Sequence, residues 1–81
     1  MHHENLIKMA NDIGSFFQSD PDPITAVEGM ADHLRRFWEP RMRKAIVQHY
    51  QAGGDGLSDL AQAAVKKLAA ESAALSGIGD G

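Results

Sequence analysis

At 81 residues, with a net charge of −3 and no cysteine, the chain has room for one small domain whose core supplies only roughly 3–5 kcal/mol. It can hold no disulfide, thiolate-bound zinc or cysteine-ligated iron–sulfur cluster. No apolar run approaches the roughly 18 residues that cross a bilayer, and Met1-His2-His3-Glu4 lacks the charged and apolar regions of a signal peptide, so a cytoplasmic address without membrane contact is expected.

From His3 to about Gln18, Leu6, Met9, Ala10, Ile13, Phe16 and Phe17 fall at the spacing of one helical face. Ser19-Asp20-Pro21-Asp22-Pro23 ends that helix, because each proline removes a donor and pushes its predecessor out of the α region. The next helix starts either with Asp22 as N-cap and Pro23 first, or with Thr25 as N-cap and Glu28 closing a capping box; the first is favoured. Its inner face reads Ala26, Val27, Met30, Ala31, Leu34 and Phe37. Pro40 then holds Glu39 extended and opens a third helix, with Met42, Ala45, Ile46, His49 and Tyr50 at helical spacing. Gly53-Gly54 stops it. Ser58 is the expected N-cap of a fourth helix, whose stripe is Leu60, Ala63, Ala64, Leu68 and Leu75. Because alanine buries little area, that helix is expected to dock weakly, on a partner or projecting from the bundle. The glycine-rich residues 76–81 are expected to form a flexible tail. The fold class is therefore all-α, a small bundle of three to four short helices in a single domain over residues 1–81.

Charge is segregated along the chain. Residues 1–34 carry Lys8 against six carboxylates, whereas Arg35, Arg36, Arg41, Arg43 and Lys44 face only Glu39 within residues 35–44. This basic run is interleaved with Phe37, Trp38 and Met42, and Trp and Arg are the residues that concentrate binding energy at protein interfaces. A solvated charged face is the plainer reading. The alternative function is a small helical nucleic-acid-binding regulatory module using Arg35–Lys44, since arginines beside aromatics contact phosphates and stack on bases. The acidic balance of the chain and the lack of a second basic patch stand against it.

Candidate chemistry is sparse, and no catalytic, cofactor-binding or metal-ligating residue is assigned. His2 and His3 lie at a terminus, His33 and His49 on separate helices without metal-ligand spacing, and Gly53-Gly54-Asp55-Gly56 lacks the Lys-Ser/Thr of a phosphate loop. Gly14 and Gly29 each cost their helix about 1 kcal/mol relative to alanine. Either close helix approach or simple tolerance accounts for them.

Met9-Ala10-Asn11, Ile13-Gly14, Phe16-Phe17, His33-Leu34-Arg35-Arg36-Phe37-Trp38, Pro40-Arg41-Met42-Arg43, Gly53-Gly54 and Gly56-Leu57 follow one another over roughly residues 6 to 60. In order and spacing they resemble the delta subunit of NAD-dependent, molybdenum-containing formate dehydrogenases. The family pattern has aspartate where this chain has Glu39, and aspartate would cap the third helix better. The resemblance implies a small non-catalytic accessory subunit of a cytoplasmic oxidoreductase complex that converts formate and NAD to carbon dioxide and NADH. It implies no cofactor on this chain, with bis-molybdopterin guanine dinucleotide molybdenum, iron–sulfur clusters and FMN on the alpha, beta and gamma subunits. It further implies a part in assembly, stability or molybdenum-cofactor insertion. On that basis the partner-binding residues are expected to be Arg35, Arg36, Trp38, Arg41, Met42 and Arg43, docking on the large alpha subunit, with Phe16, Phe17, Leu34 and Phe37 supplying helix packing.

Overall fold

The prolines and glycines that punctuate the sequence set where its helices begin and end. A computed structural model describes the backbone of residues 3–80 and, along it, the side chains of residues 4–71. Its helices are α1 (His3–Phe17), α2 (Pro23–Phe37), α3 (Pro40–Gln51) and α4 (Asp59–Asp80). No strand occurs among the described residues, and the all-α expectation holds. α2 starts with Asp22 as N-cap and Pro23 first, not with Thr25. The Asp22 carboxylate accepts from Ile24 N–H at 3.1 Å and from the Thr25 hydroxyl at 2.8 Å. Thr25 is thus part of the cap without being the N-cap. The Thr25 hydroxyl first, and the Ile24 N–H second, hold the Asp22 carboxyl below the usual carboxylate value.

α3 ends in a Schellman turn. Gly54 N–H bonds His49 carbonyl and Gly53 N–H bonds Tyr50 carbonyl, both at 3.0 Å. Gly53 occupies φ +127° there, a conformation that side chains resist. The loop that follows is fastened to α1 by one side chain: Asn11 Nδ2 donates to Gly56 carbonyl at 2.9 Å, and its Oδ1 accepts from Ser58 N–H at 2.9 Å. Leu57 is thereby tucked into the core. Ser58 then caps α4 as expected, accepting from Ala61 N–H at 3.2 Å.

Every helix contributes to one core. Leu6 of α1, Met30 and Leu34 of α2, Ile46 of α3 and Val65 of α4 are the largest fully buried side chains. α4 packs most extensively, on α2 and then α3, while α1 lies against α2 and α3. This corrects the expectation of a weakly docked fourth helix. Ala61, Ala64, Val65 and Leu68 form its buried stripe, rotated from the expected one so that Leu60 and Ala63 are only half-buried. Small side chains leave room for neighbouring helices to approach, and those neighbours supply the apolar area that alanine lacks. The side chain of Leu75 and those of the expected tail at 76–81 lie outside the described residues; the α4 backbone continues to Asp80.

The two helical glycines separate cleanly. A methyl group on Gly14 would meet Met30 Sδ and Ser58 Oγ at 3.5 Å, ordinary van der Waals contact, whereas on Gly29 it would lie 2.8 and 2.9 Å from the Phe17 ring. Gly29 is where close approach is required. Gly14→Ala should therefore stabilise the fold by about 0.5–1 kcal/mol through helix propensity. Gly29→Ala should not, because the Phe17 ring must move to admit it. Urea unfolding of the two variants checks this, and equal gains in both would refute the packing argument.

Candidate functional site

The break between α2 and α3 is built from the backbone outward. α2 runs out at Phe37, and Trp38 takes an extended conformation while its N–H still reaches Leu34 carbonyl at 3.0 Å. Glu39 is extended before Pro40, with no side-chain cap bond, in keeping with its being a poorer cap than aspartate. The last carbonyls of any helix lack partners and carry its negative dipole end. Here a guanidinium supplies them: Arg43 Nη1 donates to Arg35 carbonyl at 2.8 Å and to Trp38 carbonyl at 2.7 Å. One residue of α3 thus ties off the end of α2 and fixes the corner.

The six residues expected to bind a partner divide at this corner. Trp38 is 5% exposed and belongs to the core, so its ring closes this domain and is not presented at the surface. Met42 packs partly against the same core, and Arg43 is committed to the α2 carbonyls. Arg35 makes a bidentate pair with Glu71 of α4 at 2.9 and 3.0 Å and reaches Asp32 at 3.3 Å. With side chains more than a third exposed, that pair orients α4 more than it stabilises it, contributing at most about 1 kcal/mol. Arg36 is exposed and pairs with Asp32 at 3.0 Å. Arg41 is exposed, as is Lys44, and neither makes an ion pair among the described residues. Of the run that reads as one basic patch, Arg35 and Arg43 are tied into the fold and Arg36 is paired at the surface, which leaves Arg41 and Lys44 without an ion pair among the described residues. This thins the electrostatic footprint a nucleic-acid-binding module would need.

The aromatics change places. Phe16 and Phe37, expected to supply helix packing, are 74% and 71% exposed, while Leu34 is fully buried and Phe17 half-buried. The reason lies in the turn of α2. Met30, Leu34 and Trp38 recur at intervals of four and share the core line; Phe37, three after Leu34, falls beside it with His33. Counting the capping residue as a further helical position would have found Trp38 from sequence. Phe16, Phe17, His33 and Phe37 then form a continuous series of rings across α1 and α2, with successive centroids 5.1, 6.1 and 4.7 Å apart.

Elsewhere, a surface cavity of about 520 Å³ lies by the α1–α2 turn and the start of α4, lined by Asp20, Val27, Ser58, Asp59 and Leu60 among others. It holds no nucleophile paired with a base. Among the described residues no group of three or more His, Cys, Asp or Glu could hold a metal ion, and no helix is long and apolar enough to cross a membrane. Neither a curated protein nor a solved structure matches the chain. One protein-family model does, over residues 5–65, and its description is NADH-dependant formate dehydrogenase delta subunit FdsD.

Proposed function

We propose, from the premise that this chain belongs to the NADH-dependent formate dehydrogenase delta subunit family, that it is a non-catalytic accessory subunit of a molybdenum-containing formate dehydrogenase. It docks on the large catalytic alpha subunit within a cytoplasmic complex that also holds beta and gamma subunits. Docking supports assembly, stability or insertion of the molybdenum cofactor, and the molybdenum centre, iron–sulfur clusters and FMN reside on the other subunits. The observation that carries this reading is the extent of the family match. Residues 5–65 begin one position before Leu6 and end at Val65, so the matched stretch takes in a fully buried side chain from each of the four helices. The matched stretch thus spans α1, α2, α3 and the α2–α3 corner and reaches into the start of α4.

Stoichiometry in the active enzyme tests the proposal. Formate dehydrogenase purified through a tag on its catalytic subunit should contain this chain in equimolar amount, and enzyme made without it should lose activity or molybdenum content. A chain absent from fully active, fully loaded enzyme, and dispensable for producing it, overturns the reading. A chain needed for loading yet absent from the product would make it a transient maturation factor.

A further inference from the structure

The loop between α3 and α4 carries a chemically reactive pair. Asp55 and Gly56 are adjacent and both exposed, and the glycine has no side chain to shield its nitrogen from the carboxyl group before it. Gly56 N–H makes no hydrogen bond among the described residues. The fold cannot dispense with this glycine, because φ is +87° there, a conformation that other residues resist. The loop instead holds the pair still. His49 Nε2 donates to Asp55 carbonyl at 2.7 Å, Asn11 Nδ2 to Gly56 carbonyl at 2.9 Å, and Leu57 N–H to Gly54 carbonyl at 3.1 Å. Attack of the Gly56 nitrogen on the Asp55 carboxyl carbon needs rotation about the Asp55 Cα–C bond, which swings the Asp55 carbonyl and the Gly56 nitrogen together. All three bonds oppose that rotation.

We propose that Asp55-Gly56 is a self-modification site, closed while Asn11 holds the loop and converted to isoaspartate when the loop opens. The inference stands apart from the accessory-subunit reading. The chemistry needs only water. The Gly56 nitrogen bonds to Asp55 Cγ, and the hydroxyl of the protonated carboxyl leaves with the amide proton as water, which gives a five-membered imide. Water then adds to one imide carbonyl. Addition at the side-chain carbonyl restores aspartate, whereas addition at the main-chain carbonyl breaks the original peptide bond and routes the chain through the side chain. Nothing is oxidised or reduced. The product carries one more methylene in its backbone between Gly54 and Leu57, so the turn that closes on Gly54 carbonyl no longer fits, and the buried Leu57 and the Ser58 cap of α4 lie just beyond it. Asn11 is the latch because it reaches the loop from α1 and grips both Gly56 and Ser58. Opening a loop held in this way costs less than unfolding the domain, and the modification then makes the opening one-way.

The test incubates the full chain, folded and in urea, and follows residue 55 by peptide mapping in heavy-oxygen water, which labels each hydrolysed imide. Trypsin cuts after Lys44 and Lys66, so Asp55 and the chain's other Asp-Gly pair, Asp80-Gly81, fall in separate peptides and are read independently. Isoaspartate at residue 55 should form at least about tenfold more slowly in the folded wild-type chain than in urea, a factor that corresponds to about 1.4 kcal/mol of local closure. Asn11→Ala should recover most of that factor while the chain stays folded by circular dichroism. If Asn11→Ala does not fold, Asn11→Asp replaces it, since it keeps the acceptor for Ser58 N–H and loses only the donor to Gly56. Ile46→Val, which loosens the core without touching the loop, should stay at the wild-type rate. An equal rise in the Asn11 and Ile46 variants would make global unfolding the gate and overturn the latch. Equal rates for the folded wild-type chain and the chain in urea, or no isoaspartate at residue 55 in the Asn11 variant, would overturn the proposal as well.

Discussion

Trp38→Ala should abolish cooperative folding of the isolated chain at 25 °C, while Phe37→Ala, one position earlier, should change its stability by no more than about 0.5 kcal/mol. Truncating a buried tryptophan removes its transfer energy and leaves a cavity, at a cost of about 3–5 kcal/mol. A domain of this size without staples has roughly 3–5 kcal/mol in hand. Trp38 is 5% exposed and Phe37 71%, so the adjacent pair is a sharp internal control. Circular dichroism with urea titration of both variants reads the difference, and comparable effects from the two would show that Trp38 does not close the core. The contrast also governs how binding experiments are interpreted. Loss of a Trp38 variant from the complex would report unfolding, whereas loss of a Phe37 variant reports the surface.

Arg43→Ala should destabilise the fold by about 2–3 kcal/mol, and Arg41→Ala, with the same change in charge, should be close to neutral. Hydrogen bonds from a charged donor contribute about 1.5–3 kcal/mol each when their partners are sheltered. Arg43 makes two such bonds, at 2.7 and 2.8 Å, to carbonyls that the helical pattern of α2 leaves unserved. Partial exposure of the guanidinium lets water replace part of that loss, which places the expected value well below the sum of two full bonds. Arg43→Lys should recover only part of the stability, because a single ammonium cannot reproduce the guanidinium's fixed geometry. Urea midpoints of the three variants check the ordering, and an Arg41 variant as unstable as the Arg43 one would point to net charge as the cause.

Element boundaries were legible because they rest on chemistry confined to a few adjacent residues. Asp22-Pro23 opening α2, Pro40 opening α3, Gly53-Gly54 ending it and Ser58 capping α4 all stand where local rules put them. Facing was less legible. α1 carries an apolar arc wider than the core it meets, and periodicity cannot tell which side of that arc is covered: Leu6 and Ala10 are inside, Met9 and Phe16 outside. The Phe37/Trp38 inversion has the same origin at a helix end, where the register of the last residue decides between core and solvent. The docking of α4 is not legible in its own residues, because area per side chain says nothing about what neighbours bring to it. The basic run misled for a further reason. Sequence shows that Arg35, Arg36 and Arg43 are charged, but the carboxylates and carbonyls they bind come from residues up to 36 positions away.

The helix that joins the bundle comes after the three helices it joins. As the chain emerges during synthesis, α1, α2 and α3 can nucleate and pack on one another, yet the cover that Ala61, Ala64, Val65 and Leu68 give to Leu6, Met30, Leu34 and Ile46 comes last. Asn11 likewise waits for Gly56 and Ser58, 45 and 47 positions downstream, and long-range closures of this kind slow folding. The nascent chain therefore presents its future core and its aromatic face together. For that interval two neighbouring apolar surfaces are open to a chaperone, and arrival of α4 is the event that distinguishes the side to be hidden within the chain from the side that stays exposed.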